Sequence, residues 1–224
     1  MTCGSFDVAI IGGGPAGTAT AILLAREGFS VVVLEASDYR NHLAGHTLPP
    51  TIIHRLKRLD VFDRFVQEPH RPAAGILSIW GSSQLRVNDF MLGLDGLGWQ
   101  VDRQTFDSML ADRATAAGAI VWTESRLMSR PYRQGHYWVF DASRKGNKLL
   151  CTCRFLIDSS GRSGAALLAH LSPRIVIDKL IGIAWTGRDR EEWPYPLVES
   201  VEDEIARRLE RGDHECESGC GEIG

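Results

Sequence analysis

Gly12-Gly13-Gly14-Pro15-Ala16-Gly17, followed by Glu35, are the residues whose types and spacing point most directly to chemistry. Gly12 permits a tight turn, Gly14 lets the backbone approach a diphosphate with no Cβ in the way, and Gly17 lets the next helix pack close to the preceding strand. Pro15 falls at the first helical position, where a missing N–H costs nothing. With Ala16 it begins a helix whose free N–H groups and partial positive charge suit phosphate oxygens. Glu35 follows the last glycine by roughly 20 residues, the spacing at which an acid accepts hydrogen bonds from a ribose diol. An acid there disfavours a 2′-phosphate, which argues against NADP as the ligand. The chemistry is that of holding a dinucleotide by its diphosphate and its ribose.

These residues need a strand before the glycines, a helix after them and a second strand ending at Glu35. The sequence supplies all three. Val8 to Ile11 is an apolar run of the kind found in parallel strands covered on both faces. Ala16, Ala19, Ala21 and Ala25 are expected to keep the helix slim against the sheet, Gly28 to end it, and Ser30 to Leu34 to form the second strand. Further on, Ile52, Ile53, Leu56, Leu59, Phe62 and Phe65 mark one helical stripe after Pro49-Pro50. Between Gly75 and Val101, apolar residues including Trp80 alternate with Gly, Ser, Asn and Asp, which reads as antiparallel strands with turns. Arg103 leads into a helix with Phe106, Met109, Leu110 and Ala114 inward and Gly118 as its stop. Ala119 to Trp122 reads as another parallel strand. Tyr137 to Asp141 and Leu149 to Ile157 read as a β-meander turning at Lys145-Gly-Asn, and Phe155 to Gly161 as a buried strand that ends in a polar loop. A short helix is expected from Ser163, and Ile175 to Thr186 suggests a return to the antiparallel region.

The 224 residues can bury a sizeable core. A net charge of −3 provides no electrostatic case for nucleic acid or an anionic membrane as partner. The apolar stretch at 8–24 is interrupted by the glycines, so neither a signal peptide nor a membrane span is expected. Five cysteines at these spacings do not suggest a disulfide framework, and a cytoplasmic location is the expectation. Cys151 and Cys153 share one face of a strand and read as small buried side chains rather than half of a metal site. His214, Cys216 and Cys220 cluster in a polar tail without a fourth ligand. No metal is expected.

Four segments together carry a resemblance: Gly12 to Gly17 with Glu35; Gly45-His-Thr-Leu-Pro-Pro50; Gly98-Trp-Gln-Val-Asp-Arg103 with Phe106-Asp107; and Ile157-Asp-Ser-Ser-Gly-Arg-Ser-Gly164. In these the chain resembles the FAD-dependent monooxygenases of the p-hydroxybenzoate hydroxylase fold, in the tryptophan-halogenase-like branch that includes peptide tryptophan hydroxylases. The resemblance spans residues 5 to about 203 and implies an α/β fold. That fold is a Rossmann-like FAD-binding domain of the glutathione-reductase type, with a β-meander and a partial antiparallel-sheet substrate region. It divides the chain into a discontinuous FAD-binding domain over 1–72 and 101–172, a partial substrate domain over 73–100 and 173–204, and a polar tail over 205–224. It implies FAD on Gly12, Gly14, Pro15, Ala16 and Gly17, with Glu35 at the adenosine ribose. Arg103 would lie near the phosphates or ribitol, and Asp158 and Gly161 in a second cofactor loop. It also implies NAD(P)H as transient reductant, O2 activation and hydroxylation of an aromatic small molecule or peptide, the indole of tryptophan included.

The chain departs from that family in three places. His46 stands where the family pattern carries an acid. The Gly-x-Trp-x-Trp-x-Ile-Pro segment of halogenases has no counterpart, and Leu77 to Met91 holds no lysine, which favours hydroxylation over halogenation. The later Gly-Asp motif has no convincing match, because Gly212-Asp213 follows a charged run instead of a strand; the expectation is a C-terminally shortened member. Two other readings stand beside the monooxygenase: a geranylgeranyl-reductase-like flavin reductase, and a shortened homologue that binds nucleotide or a partner without catalysis.

Overall fold

The computed structural model describes residues 2–40, 46–79, 84–161, 171 and 175. Strand β1 (Thr2–Ile11) contains the apolar run that opens the nucleotide unit. It lies between two parallel neighbours: β2 (Val31–Leu34), with Ile11 opposite Leu34, and β12 (Asn147–Asp158), with Ile11 opposite Asp158. Strand β8 (Ile120–Trp122) continues the parallel order beyond β2. The three strand ends that meet at the glycine turn thus come from positions far apart in sequence.

The period of two along each strand divides the core. Val8, Ile10, Val31 and Val33 face one way, toward helix α1 (Pro15–Arg26) and helix α4 (Arg103–Ala116). Ala9, Ile11, Val32 and Leu34 face the other way, toward Phe140, Cys151 and Cys153. Burial on both faces is what a continuous apolar run in a parallel strand predicts. α4 starts at an N-cap in which Asp102 Oδ1 accepts from Thr105 N at 2.8 Å. It turns Phe106, Met109, Leu110 and Ala114 inward, and Gly118 follows its end at φ +102°.

The β-meander forms the other edge of this sheet. Strand β10 (Tyr132–Gln134) and strand β9 (Ser125–Leu127) both pair with β11 (Tyr137–Arg144), and β11 pairs antiparallel with β12. β11 and β12 join through Lys145 and Gly146 at φ +48° and +80°. Two positive φ values make a primed turn, whose twist suits the hairpin. The sequence suggests two separate strands over 149–161; the structure merges them into β12, which serves the meander on one edge and the nucleotide unit on the other.

A smaller antiparallel sheet holds β3 (His46–Leu48) and β4 (Arg71–Ala73) on either side of β7 (Gly98–Val101). Strands β5 (Gly75–Ile79) and β6 (Leu85–Asp89) form a separate hairpin. Both agree with the antiparallel reading of 75–101.

Three expectations are corrected. Ala16 is exposed and does not pack on the sheet; the buried residues of α1 are Gly17, Thr18, Ala21 and Ile22. The stripe from Ile52 to Phe65 is two helices, α2 (Ile52–Leu59) and α3 (Phe62–Phe65), broken at Asp60 with φ +58°. Asp is among the few residues that tolerate this conformation, and its carboxylate accepts from Arg113 Nη2 at 3.0 Å. The end of β12 is only partly buried: Phe155 is exposed, with the Arg154 guanidinium 5.8 Å from the centre of its ring.

Several expectations fall outside the described residues: Gly45, Trp80, the helix from Ser163, the strand beyond Ile175, His214, Cys216, Cys220 and the tail over 205–224. Among the described residues no helix is long and apolar enough to cross a membrane, and no three His, Cys, Asp or Glu side chains gather as a metal site.

Candidate cofactor-binding site

The glycine turn is held by backbone bonds to both neighbouring strand ends. Gly12 N donates to Leu34 O at 2.8 Å, and Ser159 N donates to Ile11 O at 2.7 Å. Gly12 has φ +100°, and a Cβ there would lie 2.4 Å from Ser159 O. Gly12 therefore serves two needs, a left-handed backbone and the close passage of the β12 loop. A Cβ on Gly17 would lie 2.0 Å from Gly12 O, so this glycine sets how closely α1 can approach the turn. Gly14 is different: a Cβ there would meet nothing within 4 Å. Its surroundings are open, and they face a cavity.

That cavity has a volume of about 410 Å³, within the range of small-molecule sites. Gly12, Gly14, Pro15 and Ala16 form one wall, Glu35, Ser37 and Tyr39 a second, Arg103, Gln104 and Asp107 a third, and Ser159, Ser160 and Gly161 a fourth. No side chain caps the start of α1 and no acid sits in its first turn. The N–H groups there carry the partial positive charge that favours an anion.

Glu35 is fixed on both oxygens. Oε2 accepts from Gly13 N at 2.7 Å, and Oε1 accepts from Ser37 N and Ser37 Oγ, each at 2.7 Å. Tyr39 has a left-handed backbone, at φ +63°, and its hydroxyl donates to Gly13 O at 2.8 Å. Glu35 and Tyr39 thus hold Gly13 from both sides, by its N–H and by its carbonyl oxygen. A Cβ on Gly13 would lie 2.3 Å from the Tyr39 hydroxyl oxygen, so the middle glycine is required for this grip. Burial, then the nearby Glu35 charge, pushes the Tyr39 phenol well above its ordinary value; it stays a neutral donor.

At the start of α4, Arg103 Nε donates to Asp107 Oδ1 at 3.1 Å and Arg103 Nη2 to Asp107 Oδ2 at 2.8 Å. The pair is one helical turn apart on α4. Arg103 Nη1 lies 3.4 Å from His46 Nδ1. Burial raises the proton affinity of Asp107, and the Arg103 hydrogen bonds oppose it.

Of the residues singled out from sequence, Gly12, Gly14, Pro15, Ala16, Glu35, Arg103 and Gly161 line this one cavity, and Gly17 and Asp158 do not. Gly17 acts behind the wall, through packing. Asp158 Oδ1 accepts from Ser160 N at 3.0 Å and from Ser160 Oγ, so its carboxylate closes the turn after β12. Sequence reasoning missed Ser37, Tyr39, Gln104, Asp107, Ser159 and Ser160. For Asp107 a signal existed, an acid on the inward stripe of α4 four residues after an arginine.

Residues 5–170 match the family described as FAD binding domain. A flavin-dependent halogenase of Armillaria mellea is 28% identical over 195 residues, covering 80% of this chain and 37% of the halogenase. A putative FAD-dependent oxidoreductase, LodB, of Marinomonas mediterranea is 31% identical over 183 residues, covering 80% of this chain and 49% of LodB. Among solved structures, the myxobacterial chondrochloren halogenase CndH superposes with a TM-score of 0.63 at 25% identity, covering 71% of this chain and 38% of that one. Solved monooxygenases and a hydroxylase share the architecture at 15% to 19% identity, a likeness of fold alone. The chain spans less than half the length of the relatives it matches.

Proposed function

The chain belongs to the FAD-binding-domain family, and on that premise we propose that it forms the cofactor-holding part of a monooxygenase that hydroxylates an aromatic substrate, such as an indole. FAD is the cofactor of this family. The observation that carries its placement here is the open surface at Gly14 beside the uncapped start of α1. A diphosphate would take the N–H groups of that helix start, a ribose diol would bond Glu35, and Arg103 would present its Nη1 edge to anionic or hydroxyl oxygens. The residues present fit the adenosine diphosphate half of FAD.

When bound, FAD supplies electron transfer and oxygen activation, with NAD(P)H as the proposed reductant. The chain's own residues bind and orient. Glu35 and Tyr39 fix the backbone of Gly13, α1 offers N–H donors, and Ser159 and Ser160 of the β12 loop complete the lining. The partial substrate region is proposed to include the antiparallel strands over 73–100.

Halogenation is a second reading, favoured because several relatives are named flavin-dependent halogenases. The test is to supply the purified chain with FAD, NADH, oxygen, a halide and an indole. Hydroxylation expects a product heavier by one oxygen, made with or without halide. A halogen-substituted product that requires the halide would replace this reading by the second. Saturable flavin binding with no product of either kind would reduce the chain to a nucleotide-binding module.

A further inference from the structure

We propose that Asp107 is a positioning residue that orients Arg103 toward the diphosphate-bearing ligand, an inference that rests on the cofactor reading above. The Asp107 side chain is only 8% exposed and that of Arg103 18%. Each carboxylate oxygen accepts one bond from the guanidinium, to Nε and to Nη2. A planar fork held at two points cannot rotate about its terminal bond. This leaves the Nη1 edge as the part of Arg103 turned away from the pair, beside the cavity and 3.4 Å from His46 Nδ1.

The arrangement also assigns a cost. The charge of Arg103 is neutralised at close range, and Glu35 adds a second carboxylate to the same cavity. Arg103 therefore serves the site by geometry more than by net charge. A free arginine would attract phosphate more strongly but would sample many rotamers; a clamped one gives a fixed donor edge with little ordering cost on binding. An arginine that acts mainly by charge has no use for a buried carboxylate on two of its three nitrogens.

The experiment compares the full chain with Asp107→Asn, Asp107→Glu, Arg103→Ala and the double variant Asp107→Asn/Arg103→Ala. Affinities for FAD, ADP and adenosine are read by flavin fluorescence and calorimetry. The Arg103 Nε–H resonance is followed by nitrogen-15 NMR without ligand. Asp107→Asn is expected to weaken FAD and ADP binding by roughly tenfold, to leave adenosine binding unchanged, and to move the Nε–H signal from slow to fast solvent exchange. The double variant is expected to bind no more weakly than Arg103→Ala, and Asp107→Glu to recover part of the loss.

Unchanged or tighter ADP binding by Asp107→Asn, or full additivity in the double variant, would overturn the proposal. If Asp107→Asn does not fold, Arg103→Lys keeps the charge but loses the two-point grip; it is expected to show the same loss, and wild-type affinity there overturns the proposal. A wild-type chain that binds no FAD would sink the cofactor reading instead, and the Nε–H signal alone would then decide whether Asp107 fixes Arg103.

Discussion

The layer around β1 and the β5–β6 hairpin both contain strands rich in branched apolar residues, yet they end in opposite conditions. In the first, Val31, Val32 and Val33 are buried on both faces, and the ends of β1, β2 and β12 meet at the glycine turn. In the second, Val87 is 63% exposed, and Ile76, Leu77, Ile79 and Leu85 are exposed around it. Met91, Leu92 and Leu94, which follow β6 in sequence, are exposed as well. A two-stranded ribbon has little independent stability. The difference teaches that apolar alternation identifies strands, whereas burial depends on what the rest of the fold brings over them. The cofactor site lies at the end of the buried layer and takes no residue from the β5–β6 hairpin.

Substitutions can break or sharpen this contrast. The largest effect is expected for Gly12→Ala, where a side chain would meet the β12 loop in a backbone conformation that alanine resists. A loss on the order of 3–5 kcal/mol is expected, read by denaturant unfolding, together with loss of flavin binding. Phe140→Ala, at a side chain with 0% exposure behind the sheet, is expected to cost about 3 kcal/mol or somewhat more. An effect near zero there would mean the buried layer is not the stabilising half.

A smaller, pH-dependent effect is expected at His70. Its ring is buried against Phe65, 4.5 Å away, and burial lowers its proton affinity. Neither ring nitrogen has a hydrogen-bond partner among the described residues. The unfolded chain then binds the proton more readily than the folded one. Stability is expected to be full above the ordinary value of 6.5 and to fall as pH drops below it. His70→Phe should flatten that part of the profile, and an unchanged slope would show that His70 is not responsible. The smallest effect is expected for Val87→Ser in the hairpin, within about 0.5 kcal/mol. A cost comparable to that of Phe140→Ala would erase the contrast between the two regions.

The nucleotide unit was legible because its determinants are local: strand, turn, helix and acid lie within 35 residues, and the close approaches at Gly12 and Gly17 are the steric reasons those glycines imply. The break at Asp60 was not legible, since no Gly or Pro marks it and its partner Arg113 lies 53 residues away. Tyr39 was invisible for a similar reason, its hydroxyl reaching back to Gly13 across 26 residues. Asp158 lies in the expected loop, where its carboxylate accepts from Ser160. Its neighbours Ser159 and Ser160 reach the cavity, and that depends on the parallel register with β1, which sets Asp158 opposite Ile11. Asp107 belonged to a recognised segment, but only the fold shows both of its oxygens on Arg103.

The central claim is that the Gly12–Gly17 turn and the start of α1 hold the diphosphate of FAD. Competition against bound FAD by ADP and by adenosine, at one fixed salt concentration, tests it most directly. ADP is expected to displace FAD at far lower concentration than adenosine does, and Gly14→Val, which fills the open surface, is expected to weaken FAD and ADP together. Equal competition by adenosine, or a Gly14→Val chain that binds FAD as tightly as the wild type, would contradict the claim.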